Sequence, residues 1–156
     1  MGYLRIKKPT KKSGFVGLLN IPLYHTHVQF YPTQEDAIKD IPNVPALNDG
    51  NFGAITFIAE GKDGSWLNIA FREQKYMTAE VIAHEATHAA WFALHMAGVK
   101  VTFANHEQLA YLVGYIAEQL HKFCDAYDDY IEPEEEKDGK PTPQDPELPR
   151  ADPGRD

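Results

Sequence analysis

One cysteine, Cys124, stands in the 156 residues. A lone thiol excludes an internal disulfide and a zinc ribbon built on cysteine pairs, leaving burial near a helix end as its ordinary fate. No apolar run approaches the roughly 20 residues that a membrane span needs. The first residues carry no apolar signal segment, and Gly2 is followed by Ile6 where a myristoylation signal wants Ser or Thr. These absences predict a cytoplasmic protein with no membrane partner. Net positive charge is missing too: the formal charge is −8, so nucleic acid is not the partner that composition suggests.

That charge is not spread evenly. From Asp125 onward 12 acids meet 4 bases, whereas residues 1–124 hold 11 of each. The imbalance predicts three parts. Residues 1–13, with Arg5, Lys7, Lys8, Lys11 and Lys12, read as a basic N-terminal arm, solvated or in contact with an acidic partner. Residues 14–131 form the folded domain, and 132–156, rich in Glu and Pro, read as a disordered acidic tail. Such a tail either aids solubility, docks on a basic partner or shades a site on the domain.

Patterning in the domain predicts an α+β fold in which a small mixed or antiparallel sheet precedes two long helices. His25 to Phe30 alternates as a strand, and Thr33 caps a short helix through about Asp40. Ile41 to Pro45 is a Pro-marked connection. Ala54–Glu60 and Trp66–Arg72 are β-prone runs around the turn Gly61-Lys62-Asp63-Gly64, which predicts a hairpin with Leu67, Ile69 and Phe71 toward the helices. His25 and His27 share a strand face, either as exposed polar residues or as an auxiliary metal site.

What the chain does contain is His84-Glu85-Ala86-Thr87-His88. A chain of this composition matches His-Glu-x-x-His by chance about 0.02 times. Thr78 as N-cap, Glu80 in the first turn and Gly98 as a left-handed terminator predict a helix over 79–97. Residues four apart share a face, so His84 and His88 can turn their imidazoles to one cation, with Glu85 beside them as a base for metal-bound water. Val81, His84, His88, Trp91, Phe92 and His95 form one broad face, which predicts that the histidines lie in or beside the buried side. Two imidazoles there need partners, and a metal satisfies both; the alternative is a core helix with hydrogen-bonded histidines.

A catalytic zinc ion takes three protein ligands and leaves one position for water. His95 rises about 10 Å beyond His88 along the helix axis and is excluded. A second helix over 105–123 carries the apolar stripe Leu109, Leu112, Val113, Ile116, Leu120 and Phe123, and its first turn offers His106 and Glu107. Glu107 shares a small-residue stripe with Ala110, Tyr111 and Gly114, where the Ala-rich motif helix would pack closely. Glu107 is therefore the predicted third ligand, with His106 as the alternative. Tyr111, one turn on, either helps to polarise a scissile carbonyl or packs at the boundary.

Two motif histidines followed, 19 residues after the second, by a glutamate on the next helix resemble the Glu-zincins, the class that includes thermolysin-like peptidases. Asn105, Glu107 and Ala110 are similar to the N-E-x-x-A pattern of compact zincins of bacteria and mobile elements, with His106 inserted. The resemblance covers residues 78–124 and implies a zinc metallopeptidase acting on a protein or peptide substrate. It also implies a strand that walls the cleft and pairs with an extended substrate, taken as the second strand of the hairpin. Thermolysin-like enzymes carry an acid where this chain has Tyr111, so the partner behind the ligand histidine is unassigned. Metzincins are excluded by Trp91 and Leu94. Two other readings stay open: a SprT-like protease with His106 as third ligand, and a non-catalytic module in which zinc only stabilises the zincin frame.

Overall fold

A computed structural model describes residues 3–132. The first strand, β1 (Leu4–Lys7), lies inside the stretch expected to be a solvated arm. Its alternation explains this: Leu4 and Ile6 pack on the core while Arg5 and Lys7 are exposed, the pattern of a strand with one wet face. β2 (Val16–Ile21) pairs antiparallel with β1, Leu4 opposite Leu19 and Lys7 opposite Val16.

A 3₁₀ turn, Pro22–Tyr24, leads to His25 at φ 50, a left-handed conformation that ends the turn before β3 (Thr26–Tyr31). The expected strand thus starts one residue later, and His25 does not share a strand face with His27. Thr33 caps α1 (Gln34–Asp40) by accepting the Asp36 amide at 3.1 Å. A further short helix, α2 (Pro45–Asp49), ends at Gly50 with φ 66. The hairpin follows as β4 (Ala54–Gly61) and β5 (Gly64–Phe71), its strands in register from Ala54 opposite Phe71 to Gly61 opposite Gly64.

The sheet order is β1-β2-β3-β5-β4, antiparallel except that β3 and β5 run parallel. A parallel neighbour requires a crossover, and α1 and α2 lie on it, covering Val16, Tyr31 and Ala70 on one face. On the other face Leu19, Val28, Phe30, Leu67, Ile69 and Phe71 meet α3 (Ala79–Met96) and α4 (His106–Ile131). The result is an α+β domain with a five-stranded mixed sheet between two unequal helical layers.

Both long helices follow their termination signals. Thr78 accepts the Val81 amide at 3.3 Å, and Gly98, at φ 74, donates to His95 O while Val99 donates to Leu94 O. That pair of bonds is a Schellman termination. α4 runs eight residues past the expected Phe123, because its apolar stripe continues. Phe15 is ringed by Phe123, Tyr127 and Tyr130, with centroids 5.8, 5.3 and 5.1 Å away. Aromatic pairs at this spacing contribute about 0.5–1.5 kcal/mol each beyond area burial. The expected acidic tail lies, from residue 133, outside the described residues.

Candidate metal centre

Alanine decides which side of α3 is buried. Ala86, Ala89, Ala90 and Ala93, with Ile82 and Leu94, form the packing face, since small side chains let a helix axis approach the sheet closely. The histidines therefore turn the other way. His84, His88, Trp91 and His95 are exposed, correcting the expectation that the two motif histidines lie in or beside the buried face. Val81 and Phe92 sit half-buried at its margin, and Phe92 stacks on the His88 ring at 6.3 Å.

The motif itself is organised. His84 Nε2 and His88 Nε2 face each other 3.1 Å apart. Two nitrogens bound at 2.0–2.1 Å to one tetrahedral ion lie about 3.3 Å apart, so this spacing fits joint ligation by both rings. Glu85, on the next side of the helix, is buried and points to β4. Its Oε2 accepts the Thr56 hydroxyl at 2.5 Å, and the same hydroxyl lies 3.3 Å from the Glu85 carbonyl oxygen. The other carboxylate oxygen, Oε1, is 4.0 Å from His84 Nε2. One oxygen is held by Thr56, and the other lies on the His84 side.

Thr56 was not among the expected site residues. Its signal is a strand position: Ala54, Thr56 and Ile58 alternate with Ile55, Phe57 and Ala59, and a single hydroxyl among apolar side chains on one face calls for a partner.

Other expected residues stand apart. Glu107 and His106 are exposed in the first turn of α4, His106 Nδ1 3.8 Å from Glu107 Oε1. Among the described residues, no three His, Cys, Asp or Glu side chains are grouped closely enough to hold a metal ion, so neither joins His84 and His88. The stripe Glu107, Ala110, Tyr111 and Gly114 does not receive the motif helix: all four are exposed, and a Cβ at Gly114 would meet nothing within 4 Å. The larger residues Leu112, Ile116 and Leu120 make that contact, because burying them removes more apolar surface from water. Tyr111 is 77% exposed and lines an apolar concavity of about 770 Å³ with Pro22, Leu23, Tyr24, Leu112 and Tyr115. That concavity contains no motif residue. Cys124 is buried as expected, and burial pushes its thiol up to about 12. The His27 ring meets that of Trp66 at a tilt, centroids 5.0 Å apart.

Strand order also reassigns the wall of the cleft. β5 is paired on both sides, by β3 and β4, and has no backbone groups left for an added strand. β4, which carries Thr56 and packs against α3, is one of the two sheet edges, β1 being the other. The strand with an open edge beside Glu85 is the first of the hairpin, not the second.

No protein-family model, curated protein or solved structure matches the chain. Among the described residues no helix is long and apolar enough to cross a membrane.

Proposed function

We propose that this chain is a zinc-dependent metallopeptidase on a small zincin-like frame. The observation that carries this reading is the facing pair of His84 and His88 nitrogens at 3.1 Å beside a buried Glu85 carboxylate anchored by Thr56. A structural zinc site has no use for an oriented carboxylate that leaves one oxygen unbound. A zinc ion held by the two imidazoles would polarise a scissile carbonyl and lower the pKa of its water to about 7.

The protein's own steps fall to Glu85. With Oε2 held by Thr56, Oε1 is the base that takes the proton from the attacking water and passes it to the leaving amine nitrogen. An extended peptide would lie along the free edge of β4, exchanging backbone hydrogen bonds there, which makes a protein or peptide the substrate class. For the third ligand the proposal rests on sequence spacing alone, Glu107 with His106 as its competitor, since both stand apart from the histidine pair here. A cytoplasmic setting, where Cys124 stays a thiol, completes the proposal.

The test is Glu85→Gln. This variant is expected to keep its bound zinc, measured by elemental analysis of the dialysed protein, while hydrolysis of a casein or peptide-library substrate falls by at least about a hundredfold, within the range attributed to general-base catalysis. Full peptidase activity in Glu85→Gln would refute the assignment.

A further inference from the structure

The sheet face turned away from α3 has its own chemistry. Strand pairing sets its side chains in two rows: Tyr3, Asn20, His27 and Trp66 in one, Arg5, Leu18, Gln29 and Asn68 in the other. α1 and α2 cover the neighbouring row of Val16, Tyr31 and Ala70. Beyond that row, Tyr3, Arg5, Leu18, Asn20, His27 and Trp66 line an open concavity of about 270 Å³. The His27 and Trp66 rings meet at a tilt, centroids 5.0 Å apart and planes inclined by 31°, with His27 exposed and Trp66 half-buried.

The first three strands carry charge of one sign, the acids nearest this face standing on α1, where Asp36 and Asp40 accept the Phe15 and Gly14 amides. The first acid in the chain is Glu35, so residues 1–34 carry Arg5, Lys7, Lys8, Lys11 and Lys12 and no carboxylate. None of these five cations makes an ion pair among the described residues. Arg5 and Lys7 project from β1 on the same side as Tyr3. The formal charge of −8 conceals this segregation, because the acidic excess begins at Asp125.

We propose that this face binds single-stranded nucleic acid, with bases stacked on Trp66, His27 and Tyr3 and phosphates held by Arg5, Lys7 and the adjacent lysines. Aromatic faces accept any unstacked base, and cations beside them track the backbone. The Asn20 and Gln29 amides can meet base edges. A duplex, whose bases stay stacked, would leave the rings unused, and an acidic peptide would engage the cations but not the ring pair. The proposal reverses the expectation drawn from net charge, and it does not depend on any metal at His84 and His88.

The test uses the full chain and a labelled oligothymidylate of about 15 nucleotides, read by fluorescence anisotropy and Trp quenching. Three to five phosphate contacts on a single strand give a log–log salt slope of about −2 to −3.5, so affinity should fall about 20- to 100-fold between about 50 and 200 mM salt. Replacing Arg5 and Lys7 together by Ser should make that slope about 1.4 units shallower. Trp66→Ala should weaken binding about tenfold with the slope unchanged, and Trp66→Phe should restore it. Thermal melts exclude unfolding as the cause. No saturable binding at low salt overturns the proposal. So does polyglutamate binding as tightly as the oligonucleotide while Trp66→Ala changes neither, which would make the face a site for acidic protein segments such as residues 132–156.

Discussion

Thr56→Val tests how Glu85 is held. Valine matches threonine in shape, so the substitution removes the hydroxyl and leaves the packing of β4 on α3 in place. Glu85 is 5% exposed and accepts that hydroxyl at 2.5 Å, the short end of the range for a hydroxyl on a carboxylate. A hydrogen bond to a charged group contributes about 1.5–3 kcal/mol, and water can replace it only where it can reach the carboxylate. The expected loss is therefore about 2 kcal/mol, which lowers Tm by about 4–8 °C for a folded unit of this size. Urea unfolding of wild type, Thr56→Val, Glu85→Gln and the double variant closes a cycle whose coupling should be at least about 1 kcal/mol. In the peptidase assay kcat should fall about tenfold with KM little changed, because a carboxylate free to rotate spends less time directed at the histidine pair. Thr56→Ser, which restores the hydroxyl, should recover both quantities. A melting shift below about 1 °C together with unchanged kcat would refute the idea that Thr56 orients the base.

Two further outcomes follow from the geometry. Alanine at Glu107 and at His106, each measured for bound zinc, separates the two third-ligand assignments: loss of metal only in Glu107→Ala supports the Glu-zincin arrangement, and loss only in His106→Ala supports the SprT-like one. For Cys124, burial raises the folded thiol to about 12, above its ordinary value of about 8.5–9. The unfolded chain then releases this proton at lower pH than the folded one, so this contribution to stability is intact below about pH 8.5 and is lost as pH rises toward 12. Urea midpoints should decline over that interval and decline less in Cys124→Ala, and iodoacetamide at pH 8 should label Cys124 only at the rate of opening.

The legible parts of the fold were those written in short-range signals. Thr33 and Thr78 as caps, Gly98 as terminator and the Gly61–Gly64 turn each satisfy a local backbone requirement, and each sits where its neighbours alone predicted. β1 was hidden because four residues of alternation, Leu4 to Lys7, are masked by the surrounding lysines in any composition window. The end of α4 was misplaced because the aromatics that hold it, Tyr127 and Tyr130, find their partner in Phe15, more than a hundred residues earlier. Which strand is the edge is likewise a property of pairing across the sheet. Nothing within the hairpin distinguishes β4 from β5 before β3 is known to lie against β5.

The site divides along the same line. His84, Glu85 and His88 are mutually placed by helix geometry, so their neighbourhood was readable from spacing alone. Which side of that helix is wet was not, because a face of large side chains competes with a face of alanines and hydropathy favours the former. Packing distance favours the latter: against a sheet already filled by Phe30, Ile69 and Phe71, only the alanine side lets the helix seat without voids or overlap. Exposure of His84 and His88 follows from that choice. Glu85, one position round the helix, is left at the border between the packed alanines and the exposed imidazoles, where only the neighbouring edge strand can supply a hydroxyl. On the proposed function, an extended substrate would reach Oε1 along the outer edge of β4. A substitution that blocks that edge, such as proline in place of Ile58, whose N–H points away from β5, should raise KM for extended peptides far more than it alters zinc content.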